Sequence, residues 1–124
     1  MRDRDTTIDG LRQRVIDLCL EKGWGENGIQ NPQHVAMAMT VEMSELLEHF
    51  QWLEPGDVQR LLAGGDEDRR TKIAEEFADV MMYGLQLTYA LGIDVAQQVA
   101  RKIEIVRRRP NSREELAAMG ESHT

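Results

Sequence analysis

Cysteine is almost absent from this 124-residue chain. The single one, Cys19, excludes an internal disulfide and suits a reducing, cytoplasmic setting. Proline occupies only three positions. Together with the scarcity of β-branched runs, this argues against a sheet. No apolar run approaches the length of a spanning helix, and Met1-Arg2-Asp3-Arg4-Asp5 lacks the apolar stretch of a signal peptide. A membrane protein is therefore not expected. Basic residues are outnumbered: Lys plus Arg is 15 against 22 for Asp plus Glu, a net charge of −7. Without a basic stripe the chain is a poor candidate for nucleic-acid binding. A small phosphorylated substrate stays compatible, because a metal ion can neutralise acids and phosphates together.

What is present reads as helix. Hydrophobic residues make up 41% of the chain, enough for the core of one domain. Ile8, Leu11, Val15 and Leu18 recur at steps of three and four and predict a helix over 7–22, stopped by Gly23. Gly23 to Gly28 reads as a loop. Asn31 as N-cap and Pro32 at the first helical position predict a second helix to about Trp52. Its apolar seam is Val35, Met39, Met43, Leu46, Phe50 and Leu53. Glu54-Pro55-Gly56 breaks that helix, and Asp57 caps a short one to Ala63. A long helix follows over about 68–91, with Ile73, Phe77, Val80, Met81, Gly84, Leu87 and Leu91 toward the core. Asp94 with Gln97 offers a capping box for a last helix to about Arg109, with Val95, Val99, Ile103 and Val106 inward. The expectation is an all-α, four-helix bundle with a short extra helix. It occupies residues 1–110, and 111–124 form a polar C-terminal tail.

Two carboxylate pairs stand out, Glu42-x-x-Glu45 and Glu76-x-x-Asp79. Residues three apart on a helix are neighbours on one face, so each pair aims two acids at the same spot. If the two helices pack together, four carboxylates converge, and they cannot stay ionised together without a cation. Hard oxygen ligands suit Mg²⁺, and also Mn²⁺. The alternative is a solvated acidic face, and pattern alone leaves the two readings even. Against the second stand the positions of Glu42, beside the apolar seam, and Glu76, beside Phe77 and Val80. Acids at a core margin are costly unless paired or metal-bound. Di-iron bundles use Glu-x-x-His, and no Glu here has a His three residues later. Gly23, Gly25 and Gly28 follow a helix rather than a strand, which argues against a dinucleotide fingerprint.

At these residues the sequence resembles a known group. Glu42-Met-Ser-Glu45-Leu-Leu-Glu48-His-Phe-Gln-Trp52 and Glu75-Glu76-Phe-Ala-Asp79-Val-Met-Met-Tyr83 are similar to the paired motifs of MazG-like all-α nucleoside triphosphate pyrophosphohydrolases. The stretch ending in Phe50-Gln51-Trp52 looks most like the single-domain MazG and dCTP pyrophosphatase branch. The resemblance implies Mg²⁺-dependent hydrolysis of a nucleoside triphosphate to monophosphate and pyrophosphate, with nucleotide-pool cleaning as the purpose. It places the metal on Glu42, Glu45, Glu76 and Asp79. Glu45 is the expected water-activating residue as well as a ligand. Glu48, Glu75 and Tyr83 are the expected supports around these ligands.

The family also carries a downstream Lys-x₃-Asn-x₂-Arg pattern that holds phosphates and sugar. Lys102 and Arg109 match it as expected substrate contacts, but Val106 stands at the Asn position and Pro110 follows the final Arg. Trp52 reads as core or as a base-stacking platform. His34, two turns before Glu42, is a candidate substrate contact, though a lone His is more often structural. Apolar residues on several sides of the helices predict a homodimer or homotetramer. Phosphoribosyl-ATP hydrolysis on the same scaffold is the enzymatic alternative. A helical interaction protein with a structural cation site is the non-catalytic one.

Overall fold

The structure, a computed structural model, describes residues 1–110. The expected polar tail at 111–124 lies outside the described residues. A 3₁₀ turn at Asp3–Asp5 precedes five helices: α1 (Ile8–Lys22), α2 (Pro32–Glu48), α3 (Pro55–Leu62), α4 (Glu67–Leu91) and α5 (Val95–Arg107). Among the described residues no strand forms; a lone bridge pairs Glu26 with Ile29. The all-α expectation holds.

Local chemistry sets the helix ends. Thr7 Oγ1 accepts from the Gly10 N–H at 2.9 Å and starts α1. Gly23, at φ 69°, ends it in the left-handed conformation that glycine adopts without strain. Asn31 Oδ1 accepts from the N–H groups of Gln33 and His34, and Pro32 opens α2. Asp94 accepts from the Gln97 N–H at the start of α5.

Two boundaries differ from the sequence reading. The second helix ends at Glu48 rather than Trp52. The N–H groups of His49 and Phe50 bond back three residues, tightening the last turn. The His49 carbonyl, which a continuing helix would offer to Leu53, instead accepts from Arg69 Nη1 at 3.3 Å. Trp52 consequently leaves the helix and is 83% exposed, which removes its core role. The short helix starts at Pro55, and Asp57 acts from inside its first turn, accepting the Glu54 N–H at 2.9 Å.

The chain divides into two compact units, Met1–Ile93 and a second beginning at Asp94. In the first, α2 packs along α4, and α1 packs against α4. The buried apolar side chains are Val15, Ile16 and Cys19 of α1, Val35 of α2, and Val80 and Leu85 of α4. Burial pushes the Cys19 thiol up, which keeps it protonated. Several residues expected toward the core are exposed: Ile8, Leu11, Met43, Phe50, Phe77, Met81 and Leu91. In the second unit the described part is α5, whose expected inward residues Val99, Ile103 and Val106 are also exposed.

Candidate carboxylate centre

The centre follows from one packing event. α2 carries Glu42 and Glu45 one turn apart, and α4 carries Glu76 on the length of helix that packs against it. Each of the three offers a carboxylate oxygen, and these oxygens lie within 4.8 Å of one another. Glu42 Oε2 is buried and has no hydrogen-bond partner. A buried, unsatisfied carboxylate oxygen is strongly disfavoured unless something positive meets it.

Electrostatics report the same conflict. Burial pushes the Glu42 carboxyl up; repulsion from Glu45 adds to this, with a hydrogen bond to Glu45 and charges at Asp79 and Glu76 following. Glu76 is pushed up by burial first, then by Glu45 and Asp79. His49 pulls Glu76 the other way. Its Nε2 lies 3.8 Å from Glu76 Oε1. The Arg69 bond to the His49 carbonyl ties the end of α2 to the start of α4, and so fixes where that ring sits. Asp66, the N-cap of α4, anchors Arg69 through a 3.0 Å ion pair.

A cavity of about 300 Å³ opens beside the acids, lined by Trp24, Gln30, Glu42, Asp79, Met82, Tyr83 and Gln86. Its α4 wall comes from residues 79, 82, 83 and 86, the spacing of a single helix face. Trp24 and Gln30 come from the α1–α2 loop. There Asn27 and Gly28 take positive φ, and Glu26 and Ile29 exchange two backbone hydrogen bonds of 2.9 and 3.0 Å. Asn-Gly is the preferred pair for such a two-residue turn. Gln30 Nε2 donates to Gln86 Oε1 at 2.6 Å, joining two of the lining residues.

The sequence candidates divide accordingly. Glu42, Glu45 and Glu76 come together as one group. Asp79 stands more exposed, close enough to repel both Glu42 and Glu76, and shares the cavity wall with Glu42. Tyr83 lines the same wall. Glu48, Glu75 and His34 are exposed. Lys102 lies on α5 beside Val99, Ile103 and Val106, and Arg109 follows that helix; both are exposed and belong to the second unit. Sequence reasoning left out Gln30, Gln86 and the ring of His49. Gln86 was within reach, since it repeats the Asp79, Tyr83 stripe one turn further on. No sequence signal pointed to Gln30.

The donor set fits a hard divalent cation: three carboxylates from two helices, one with an orphaned buried oxygen. Fold and centre together define a class, an all-α protein built around a shared carboxylate site. A family model described as MazG-like matches residues 37–117. The chain belongs to the MazG-like family. It is 28% identical over 105 residues to dCTP pyrophosphatase 1 of Homo sapiens, covering 85% of this chain and 59% of that protein. The Mus musculus dCTP pyrophosphatase 1 is 27% identical over 108 residues, with 85% and 59% covered. The chain therefore spans about three-fifths of the length of these relatives. A crystal structure of a pyrophosphatase from Archaeoglobus fulgidus superposes with a TM-score of 0.70 at 28% identity, covering 90% of this chain and 99% of that one.

Proposed function

We propose that the chain hydrolyses a nucleoside triphosphate between its α and β phosphates, releasing monophosphate and pyrophosphate. The observation that carries this reading is the group of Glu42, Glu45 and Glu76 within 4.8 Å, with one buried oxygen unpartnered among the described residues, beside a cavity that Glu42 and Asp79 line. The similarity to dCTP pyrophosphatase 1 supports it and favours the dCTP pyrophosphatase branch. Glu42, Glu45, Glu76 and Asp79 would hold Mg²⁺. When bound, such an ion neutralises phosphate charge and lowers the pKa of a coordinated water. Glu45, whose charge helps push up both Glu42 and Glu76, is the group we assign to take a proton from the attacking water. Glu48 and Glu75, both exposed, remain candidate supports of this centre by motif position. Lys102, Arg109, His34 and Trp52 remain candidate substrate contacts by motif position. A nucleotide substrate and a protonated, buried Cys19 fit a cytoplasmic setting.

The test is pyrophosphate release with Mg²⁺ across canonical and modified NTPs and dNTPs, with phosphoribosyl-ATP as comparator. The expected outcome is pyrophosphate without orthophosphate, abolished by Glu45→Gln in a protein that retains its helicity. Retained turnover in that variant, or orthophosphate as the product, defeats the reading. Preferential turnover of phosphoribosyl-ATP would shift the substrate while keeping the chemistry.

A further inference from the structure

Gln86 is an anomaly on α4. It lies between Leu85 and Leu87, is only 6% exposed, and is the buried polar residue of the described chain. A buried primary amide has two donors and two acceptor sites to satisfy. Among the described residues its side chain has a single hydrogen-bond partner, Gln30 Nε2 at 2.6 Å. Both amides line the cavity that Glu42 and Asp79 also line, with the rings of Trp24 and Tyr83 beside them. A purely structural role would be served as well by an apolar residue at position 86, one turn along the same face from Met82.

We propose that the Gln30–Gln86 amide pair is the nucleobase-reading element of this chain, with Trp24 and Tyr83 as the stacking surfaces. This deepens the function proposed above and rests on a nucleotide occupying the cavity. Once Gln30 has donated to Gln86, the pair still presents at least one donor and one acceptor to the cavity. Rotating both amides together reverses their order. A pair of this kind complements a base edge that sets a donor beside an acceptor, such as N3 and the 4-amino group of cytosine, or N3–H and O4 of uracil. Aromatic stacking with edge hydrogen bonding is how unpaired bases are generally recognised. The turn at Asn27-Gly28 holds Trp24 and Gln30 on either side of one short bridge, so both come to the base already placed.

The test is equilibrium binding with Mg²⁺, comparing α,β-imido analogues of dCTP, dUTP, dATP and dGTP with inorganic triphosphate. Gln86→Leu and, at the less buried position, Gln30→Leu should each weaken the tightest-binding analogue by about tenfold to hundredfold, the worth of a good bidentate contact. Both should leave the triphosphate affinity unchanged. If nucleotide and triphosphate binding fall together, or neither changes, the pair is structural and the proposal is overturned. It is likewise overturned if the unaltered protein binds every analogue no better than triphosphate. Base-dependent binding without pyrophosphate release would leave this inference standing and remove the proposed reaction.

Discussion

Glu42 carries the sharpest local conflict in the chain, and its consequences are measurable without substrate. Its carboxyl, like that of Glu76, is pushed above the ordinary value of 4.5 by burial and then by neighbouring acids. A carboxyl whose folded-state pKa is raised holds its proton more firmly when folded than when unfolded. The folded state therefore loses stability as pH rises from about the unfolded value through the raised one. Without divalent cations, Tm should climb as pH falls through the raised values toward the ordinary carboxyl value of 4.5. Glu42→Gln should flatten that slope and raise the cation-free Tm at neutral pH by on the order of a few degrees. Mg²⁺ should stabilise the parent protein more than the variant. Thermal melts in chelator and in Mg²⁺ across pH check all three statements, and an unchanged slope in the variant would exclude Glu42 as the source. Helical spacing made each pair legible in the sequence, Glu42 with Glu45 and Glu76 with Asp79, whereas the meeting of the two pairs depends on α2 packing along α4. The exposure of Trp52 was not legible. It depends on Arg69 capturing a carbonyl twenty residues away in sequence, which no local pattern encodes.

At the scale of elements, the α1–α2 loop is more exacting than its glycines suggested. Gly25 has φ 71°, and a Cβ there would lie 2.3 Å from the Ile29 carbonyl oxygen. Both the conformation and the space exclude a side chain. Gly25→Ala should destabilise the protein by about 1–3 kcal/mol, the range for strain forced on a non-glycine backbone. It should also displace Trp24 and Gln30 from the cavity. Urea denaturation gives the first effect and affinity for a nucleotide analogue the second; an unchanged midpoint with unchanged affinity would show the loop to be slack. The sequence marked this segment as a loop through its glycines, but the close approach of residues 25 and 29 follows from the turn that the Glu26–Ile29 bridge closes, which glycine content alone does not specify. Helix existence and order, by contrast, were readable throughout, since caps at Thr7, Asn31 and Asp94 and stops at Gly23 and Gly92 act within a few residues.

For the whole molecule, exposed apolar surface is the outstanding quantity. Met37, Val41, Leu47 and Phe77 are exposed on the first unit, and Val99, Ile103 and Val106 on the second. Apolar surface on this scale is unusual for a lone protomer. Periodicity marked many of these residues as inward-facing, and periodicity cannot distinguish a core inside one chain from a seam between two. We expect a homodimer or homotetramer. Sedimentation equilibrium should give a mass of two or four protomers, and a single protomer at micromolar concentration would refute it.

The stripe on α4 has one more consequence. From Asp79 to Gln86 is seven residues, which at the rise of an α-helix is about 10 Å. On the proposed reading, with acids at one end and the amide pair at the other, one rigid helix would work as a ruler laid along the nucleotide. On the proposed reading, the bond that breaks is counted from the base end, not from the free end of the phosphate tail. Such a ruler selects the α–β linkage by distance, and the whole terminal pair of phosphates departs together.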